Sequence, residues 1–156
     1  YALDCQRYNT DYTGITWEKC TIRTWLNNEF LNAAFSAEEQ EQIQISKVAA
    51  DRNPSNRTNP GNDTTDQVFL LSINEVNQYF YSDSARQCKP SAFARAQGCY
   101  EDTDNGKCCW WWLRSPGLIA HFAADVYIDG SVEYSGLNVN YDYVGVRPAL
   151  WVIFDS

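Results

Sequence analysis

The chain has 156 residues, 44% hydrophobic and 21% charged, with a net charge of -8, a size that fits one globular domain burying roughly two thirds of its unfolded surface. Such an acidic balance excludes a phosphate-backbone partner, because nucleic-acid binding draws most of its affinity from clustered Lys and Arg. No apolar run approaches the roughly 20 residues that cross a bilayer, and the start Tyr1-Ala2-Leu3-Asp4 reads as a mature or trimmed piece.

In chain order, Ile22, Trp25, Leu26, Phe30 and Leu31 recur at helical spacing behind Thr21, a residue type that can cap, so an amphipathic helix is predicted over 21–34. Ser36-Ala37-Glu38-Glu39 has the S-x-x-E form in which a serine oxygen and a glutamate side chain satisfy the free amides of a helix start, and it opens a short helix to about Gln42. Ile43, Ile45 and Val48 alternate as in a half-buried strand. Asp51 to Asp66 is a polar loop rich in Asn, Pro, Gly and Thr, of a length that is uncommon unless the loop binds something or lacks structure. Val68-Phe69-Leu70-Leu71 predicts a buried strand, and Ser72-Ile73-Asn74-Glu75 repeats the capping box ahead of a helix with Val76, Tyr79 and Phe80 inward. Pro90 opens another short helix, which Gly98 closes.

Asp102-Thr103-Asp104-Asn105-Gly106 looks like the start of a calcium loop, but the acidic residue that should close it falls in the apolar Trp-Leu run. A solvated turn is the preferred reading and weak calcium binding the other; no further cofactor is expected. Cys5, Cys20, Cys88, Cys99, Cys108 and Cys109, with no Met, fit structural disulfides in an oxidising compartment, with Cys5 to Cys20 and the later four among themselves as the expected pairing. Free buried thiols are the alternative. A zinc site fails on spacing, since there is no Cys-x-x-Cys pair and His121 is the only histidine. The same shortage leaves a catalytic thiol or a Ser-His-Asp set without a base, so no catalytic residue is expected.

The last third is strand-rich, with Asp129-Gly130 as a hairpin turn. A three-residue loop ending at Gly130 pairs Val126 with Val132, both inward, and leaves Asp125, Tyr127 and Glu133 on the outer face. A two-residue turn would pair Val126 with Glu133 instead. Ala123, Ala124, Val126, Gly130, Val132, Gly136 and Val139 read as scaffold inside a frame of Trp110-Trp111-Trp112-Leu113-Arg114-Ser115-Pro116-Gly117 and Gly145-Val146-Arg147-Pro148-Ala149-Leu150-Trp151. Between them Leu118, Ile119, His121, Phe122, Asp125, Tyr127, Tyr134, Ser135, Leu137, Asn138, Asn140, Tyr141 and Tyr143 read as interchangeable.

That pattern over 118–143 resembles the variable region of proteins diversified by retroelements, in which a reverse transcriptase miscopies template adenines. Mutagenised Asn codons reach every one of those residues but not Glu133, and no Lys, Gln, Thr or Cys follows Gly117. The order of elements over nearly the whole chain, together with Tyr1-Ala2-Leu3-Asp4-Cys5, Arg23-Thr24-Trp25-Leu26-Asn27, Val68 to Ser72, the Trp110 to Gly117 run, Asp129-Gly130-Ser131-Val132 and Gly145 to Leu150, is similar to the C-type lectin fold of the formylglycine-generating-enzyme subtype. The resemblance implies a single α+β domain over 1–156 that lacks the usual N-terminal strand pair, so that Ala149 to Phe154 needs a missing N-terminal segment, another segment of the chain or a neighbouring copy as partner.

It further implies an extracellular or cell-surface, receptor-like or adhesin-like module, not an enzyme, that binds a protein or glycan on another surface through the interchangeable residues. Tyrosine rings would supply contact area at low entropic cost. Arg114 and Arg147 are expected to hold the frame by buried hydrogen bonds, with an anion site formed by both as the alternative. A copper oxidase like the fold's namesake is disfavoured because the adjacent Cys108 and Cys109 do not match its cysteine pattern, and the Glu-Pro-Asn and Trp-Asn-Asp signatures of calcium-dependent sugar lectins are absent. The remaining alternative is a fixed-sequence structural or assembly module of a bacterial surface protein.

Overall fold

The computed structural model describes residues 1–104 and 106–154, an α+β arrangement of short helices around a small sheet. Its strands are β1 (Asp4–Cys5), β2 (Ser46–Val48), β3 (Thr64–Asp66), β4 (Trp111–Pro116), β5 (Phe122–Val126), β6 (Val132–Asn138) and β7 (Gly145–Val146). The main sheet has the order β1-β7-β4-β5-β6, with β4 and β7 parallel and the other neighbours antiparallel; β2 and β3 pair separately.

The predicted helix over 21–34 forms as α1 (Thr21–Trp25), a π-helical turn over Leu26–Phe30, and α2 (Leu31–Ala34). Ile22 and Leu26 are four apart, but Leu26 and Leu31 are five apart and both are buried. An i to i+5 turn brings that wider step onto one face, so the π turn follows from the spacing. Thr21 does not cap. Cys20 occupies that position without a side-chain bond, and the Thr21 N–H donates to Asn9 Oδ1 at 3.0 Å.

The Ser36 capping box is complete ahead of α3 (Ala37–Glu41). Ser72 caps α4 (Ile73–Tyr79), but its reciprocal half is missing because Glu75 pairs with Arg114 instead. Ile73 and Val76 face inward while Tyr79 is exposed, contrary to expectation, since it lies off the i, i+3, i+7 stripe that Phe80 continues. Ser82 caps α5 (Asp83–Arg86), which the sequence reading did not contain, and Ser91, not Pro90, caps α6 (Ala92–Ala96). Gly98, at φ +100°, ends the last.

Val68 to Leu70 is buried and Leu71 half-buried, but the run is not a strand. Side chains take its backbone groups: Asn27 Oδ1 accepts from the N–H of Gln67 and Val68, Asn27 Nδ2 donates to Val68 O, and Arg114 Nη1 donates to Leu70 O. Only Phe69 makes a ladder pair, with Ala149. Gln42 and Gln44 bond the backbone of Ile153 and Trp151, so internal segments partner the C-terminal stretch.

Adjacent residues of the main sheet serve two cores. Trp112 and Ala123 join Tyr8, Trp17, Ile22 and Leu26 on one face, and Trp111, Ala124 and Val126 join Ile73, Val76 and Ala94 on the other. A central strand covered on both sides must be apolar at successive positions, which explains the unbroken burial of β4.

Candidate ligand-binding face

The β5–β6 hairpin has the three-residue loop: Tyr127 N–H donates to Ser131 O at 2.8 Å, Gly130 sits at φ +87°, and Val126 pairs with Val132. Farther along, β6 advances four residues while β5 advances two, from Asp125↔Glu133 to Ala123↔Leu137. Gly136, at φ +76°, carries that bulge, and a Cβ there would stand 2.2 Å from Ala123 O.

The long loop 51–66 is ordered by bonds to its own chain. Asn53 Nδ2 donates to Pro116 O at 2.9 Å and Tyr134 O at 2.7 Å, Asn56 Nδ2 to Tyr134 O at 3.2 Å, and Thr58 Oγ1 to Gly117 O and Leu118 O at 2.8 and 2.9 Å. It therefore backs the turn between β4 and β5 and the bulged part of β6.

On this frame the residues read as interchangeable separate only in part from the scaffold. Ala123, Ala124, Val126, Gly130 and Val139 are buried, and Leu118, Ile119 and Ser135 are exposed. Val132 and Gly136 of the scaffold are half-buried, and so are His121, Phe122, Tyr127, Tyr134, Leu137, Asn138, Asn140, Tyr141 and Tyr143. Asp125 departs from its expected outer position: it is 0% exposed, because the sheet face it points to is covered by the 139–143 segment and the first core.

Tyr127, Tyr141 and Tyr143 gather around a residue absent from the candidate set, Trp110. Its ring centroid lies 5.6 Å from both Tyr127 and Tyr143 and 4.9 Å from Tyr100, while Tyr141 stacks on Tyr143 at 5.1 Å. Trp110 precedes Trp111, which pairs with Val126, so strand alternation carries Trp110 and Tyr127 to the same face. Tyr100 is held there by its N–H, which donates to Tyr143 O at 3.0 Å.

Asp125 and Glu133 adjoin this cluster. Neither oxygen of Asp125 accepts a hydrogen bond, and its polar neighbour is the carboxyl of Glu133, another acceptor. Burial first, and the Glu133 carboxyl second, push the Asp125 acid well above the usual carboxylate range, which favours its neutral form. Burial also raises the Tyr143 phenol, with Tyr141 and Asp125 adding to it.

Other candidates lie apart from this cluster. His121 packs on Tyr12 with ring centroids at 5.0 Å. Tyr134 packs on the opposite core, and its hydroxyl accepts from Asn77 Nδ2 at 3.3 Å.

Arg114 donates to Leu70 O at 2.8 Å, Ala49 O at 3.1 Å and Glu75 at 2.9 Å, with Asp51 at 3.8 Å. Those carboxylates already balance its charge, which removes the reason for an anion site shared with Arg147. Arg147 instead lies over the Trp111 ring at 4.5 Å and the Phe80 ring at 5.5 Å, and its buried Nη1 has no hydrogen-bond partner. Its hold on the frame is cation–π contact in place of the expected hydrogen bonds.

The six cysteines are buried thiols. The expected Cys5 to Cys20 pairing does not match the geometry, because Cys20 belongs to the first core against Tyr8 and Trp17 whereas Cys5 belongs to the second. Burial pushes the Cys20 thiol up to about 12. Of the possible calcium turn, Asn105 lies outside the described residues, and Asp102 is buried with its N–H donating to Cys108 O at 2.9 Å. Among the described residues no group of three or more His, Cys, Asp or Glu could hold a metal ion, and no helix is long and apolar enough to cross a membrane.

Sequence reasoning missed Trp110, Tyr100 and Glu133. The signal for Trp110 was its place two residues before buried Trp112, at the end of the frame, where a side chain of the same face can emerge from cover. A family model described as "Domain of unknown function (DUF6273)" matches residues 1–153. Compared with curated proteins and with solved structures, the chain has no significant match.

Proposed function

Because the chain belongs to the DUF6273 family over residues 1–153, whose description names no activity, we propose from its surface that it is a ligand-binding, receptor-like or adhesin-like domain. In this reading the fold is a C-type-lectin-like one of the formylglycine-generating-enzyme subtype, displayed on a cell surface. Residues 118–143 are diversified by adenine-directed mutagenesis of a retroelement, and the target is a protein or glycan on another surface.

One observation carries the proposal. Within 118–143 the fully covered positions are scaffold apart from Asp125, and half-exposed Tyr127, Tyr141 and Tyr143 cluster beside Trp110. Half-exposed rings on a fixed backbone offer large contact area with few rotors to immobilise, the physics of antibody paratopes. Function would then reside in the displayed side chains and not in the fold.

The test is to sequence codons 118–143 deeply in a natural population of the source cells and to search the flanking DNA for a near-copy of the stretch. Substitutions concentrated at adenine positions of that copy support the proposal; uniform codons without a copy refute it.

A second reading, a fixed assembly module, is favoured by the C-terminal stretch, where Trp151, Val152, Ile153 and Phe154 are all exposed. A chain that stays monomeric by light scattering at high concentration refutes that reading.

A further inference from the structure

Beside the ring cluster the hairpin sets two carboxyls and no cation. Asp125 stands opposite Glu133 across β5 and β6, so their side chains share one face, and Tyr127, two residues on from Asp125, shares it as well. Both Asp125 oxygens lack a hydrogen-bond partner, and among the described residues neither carboxyl belongs to an ion pair. The surrounding sequence supplies no counter-charge: residues 115–146 hold Asp125, Asp129, Glu133 and Asp142 but no Lys or Arg.

We propose that this face is a cation site for an arginine side chain of a protein target, its guanidinium bonded to Glu133 and laid against the rings of Trp110, Tyr127 and Tyr143. The inference rests on the ligand-binding reading above and names the chemistry of its contact.

Access fits that occupant. Glu133, Trp110, Tyr127 and Tyr143 are half-exposed, and Tyr100 at the far side of Trp110 is 42% exposed, while Asp125 is enclosed behind them. A ligand therefore meets Glu133 and the rings, with the second carboxyl at their back. The Trp110 centroid lies 5.6 Å from both Tyr127 and Tyr143, so a planar cation within about 6 Å of one centroid can touch two rings.

What the site lacks selects the ligand. Two facing carboxyls need donors and positive charge; a guanidinium only donates, is always charged, matches a carboxylate with its fork and stacks on aromatic faces. A lysine ammonium brings the charge but is more strongly hydrated and has no plane to lay on a ring. A glycan hydroxyl brings a donor without charge, and an acidic sugar meets carboxyls of its own sign.

Two of the contacting groups lie outside what diversification changes. Trp110 precedes 118–143, and Glu133 is not reached from Asn codons. Variants that differ at Tyr127, Tyr141 or Tyr143 would keep this anchor, and the residues around it would set which arginine is taken.

The experiment titrates the full chain with a blocked Gly-Ser-Arg-Ser-Gly peptide at fixed salt, following backbone amides by heteronuclear NMR, and repeats the titration with citrulline or lysine in place of arginine. Citrulline keeps the shape and removes the charge. The arginine peptide should shift the amides of Tyr127, Glu133 and Tyr143 and bind at least about tenfold more tightly than the citrulline peptide, with lysine between. Glu133→Gln should weaken it at least about tenfold and Trp110→Leu about threefold or more, each variant checked for an otherwise unchanged amide spectrum. Glu41→Gln removes the same charge from an exposed position elsewhere and should leave binding within about twofold. No saturable shift, equal binding of the citrulline or lysine peptide, shifts confined to another face, or equal losses in Glu133→Gln and Glu41→Gln overturns the proposal. The titration reads this one sequence, so its failure leaves the codon survey to decide diversification, and uniform codons leave the titration standing.

Discussion

Replacing Asp125 by Asn should stabilise the protein at neutral pH, and the gain should vanish in acid. Asp125 is 0% exposed and neither oxygen accepts a hydrogen bond, so an ionised carboxylate there would carry at least the roughly 1–3 kcal/mol cost of an unsatisfied buried polar group. Its folded acid lies well above the usual range, whereas an unfolded aspartate titrates near pH 4. Between those two values the native state binds the extra proton. Stability therefore falls as pH rises above about 4, by up to about 1.4 kcal/mol per pH unit, until the folded acid ionises. Asn does not titrate, and its amide can donate to Glu133.

The Asp125→Asn variant should thus exceed the parent by on the order of 1–3 kcal/mol near pH 7, or about 2–4 °C in Tm for each kcal/mol in a chain of this size. Urea melts of both proteins at half-unit steps from pH 4 to pH 8 measure the difference. Parallel stability curves, or a variant less stable throughout, would refute the reasoning. Glu133→Gln supplies a donor from the other side and should reproduce part of the effect, with the two changes less than additive because they share one contact.

Asp66 accepts from Arg23 at 2.8 Å, Trp17 at 3.3 Å and Thr64 at 2.6 Å, so Asp66→Ala should cost about 3 kcal/mol in urea unfolding, at the low end for a broken buried pair because Arg23 is partly exposed and keeps its bond to Glu18 O. Gly136→Ala should cost about 1–3 kcal/mol from backbone strain alone, with more from the 2.2 Å approach to Ala123 O, read as a lowered melting midpoint. Leu118→Ser and Ser135→Tyr, at exposed positions, should each stay within about 0.5 kcal/mol of the parent in the same assay.

The parts legible in the sequence are those set by local chemistry. The Ser36 box, the Ser72 cap, the Gly98 stop and the Val126↔Val132 register all follow from a few residues that are neighbours in the chain. Illegible parts depend on what comes from far along the chain. Alternation assigns Asp125 and Tyr127 to one face of the hairpin, but only the distant 139–143 segment and the first core decide that one is enclosed and the other half-exposed. Val68 to Leu71 has the apolarity of a strand, yet Asn27 and Arg114 claim the groups a ladder would use. Cysteine spacing likewise says nothing of the fold that lays β1 beside residues 88–109.

The carbonyls of Pro116, Gly117, Leu118 and Tyr134 are satisfied by Asn53, Asn56 and Thr58, all outside 118–143. The backbone of the displayed region is thus held by side chains that a change within that region leaves in place. Asp125 is the exception, since its side chain fills enclosed space beside Glu133. If adenine-directed substitution reaches its codon, Asn or Ser fits there, whereas Tyr, Phe or His would overfill a packed site at a cost of about 1–3 kcal/mol or more. Among natural variants, codon 125 should therefore hold few and small residues while codon 127, at a half-exposed position, ranges across large and small ones. Equal breadth at the two codons, counted in the same population sequencing, would mean that the enclosure of Asp125 does not constrain which variants survive.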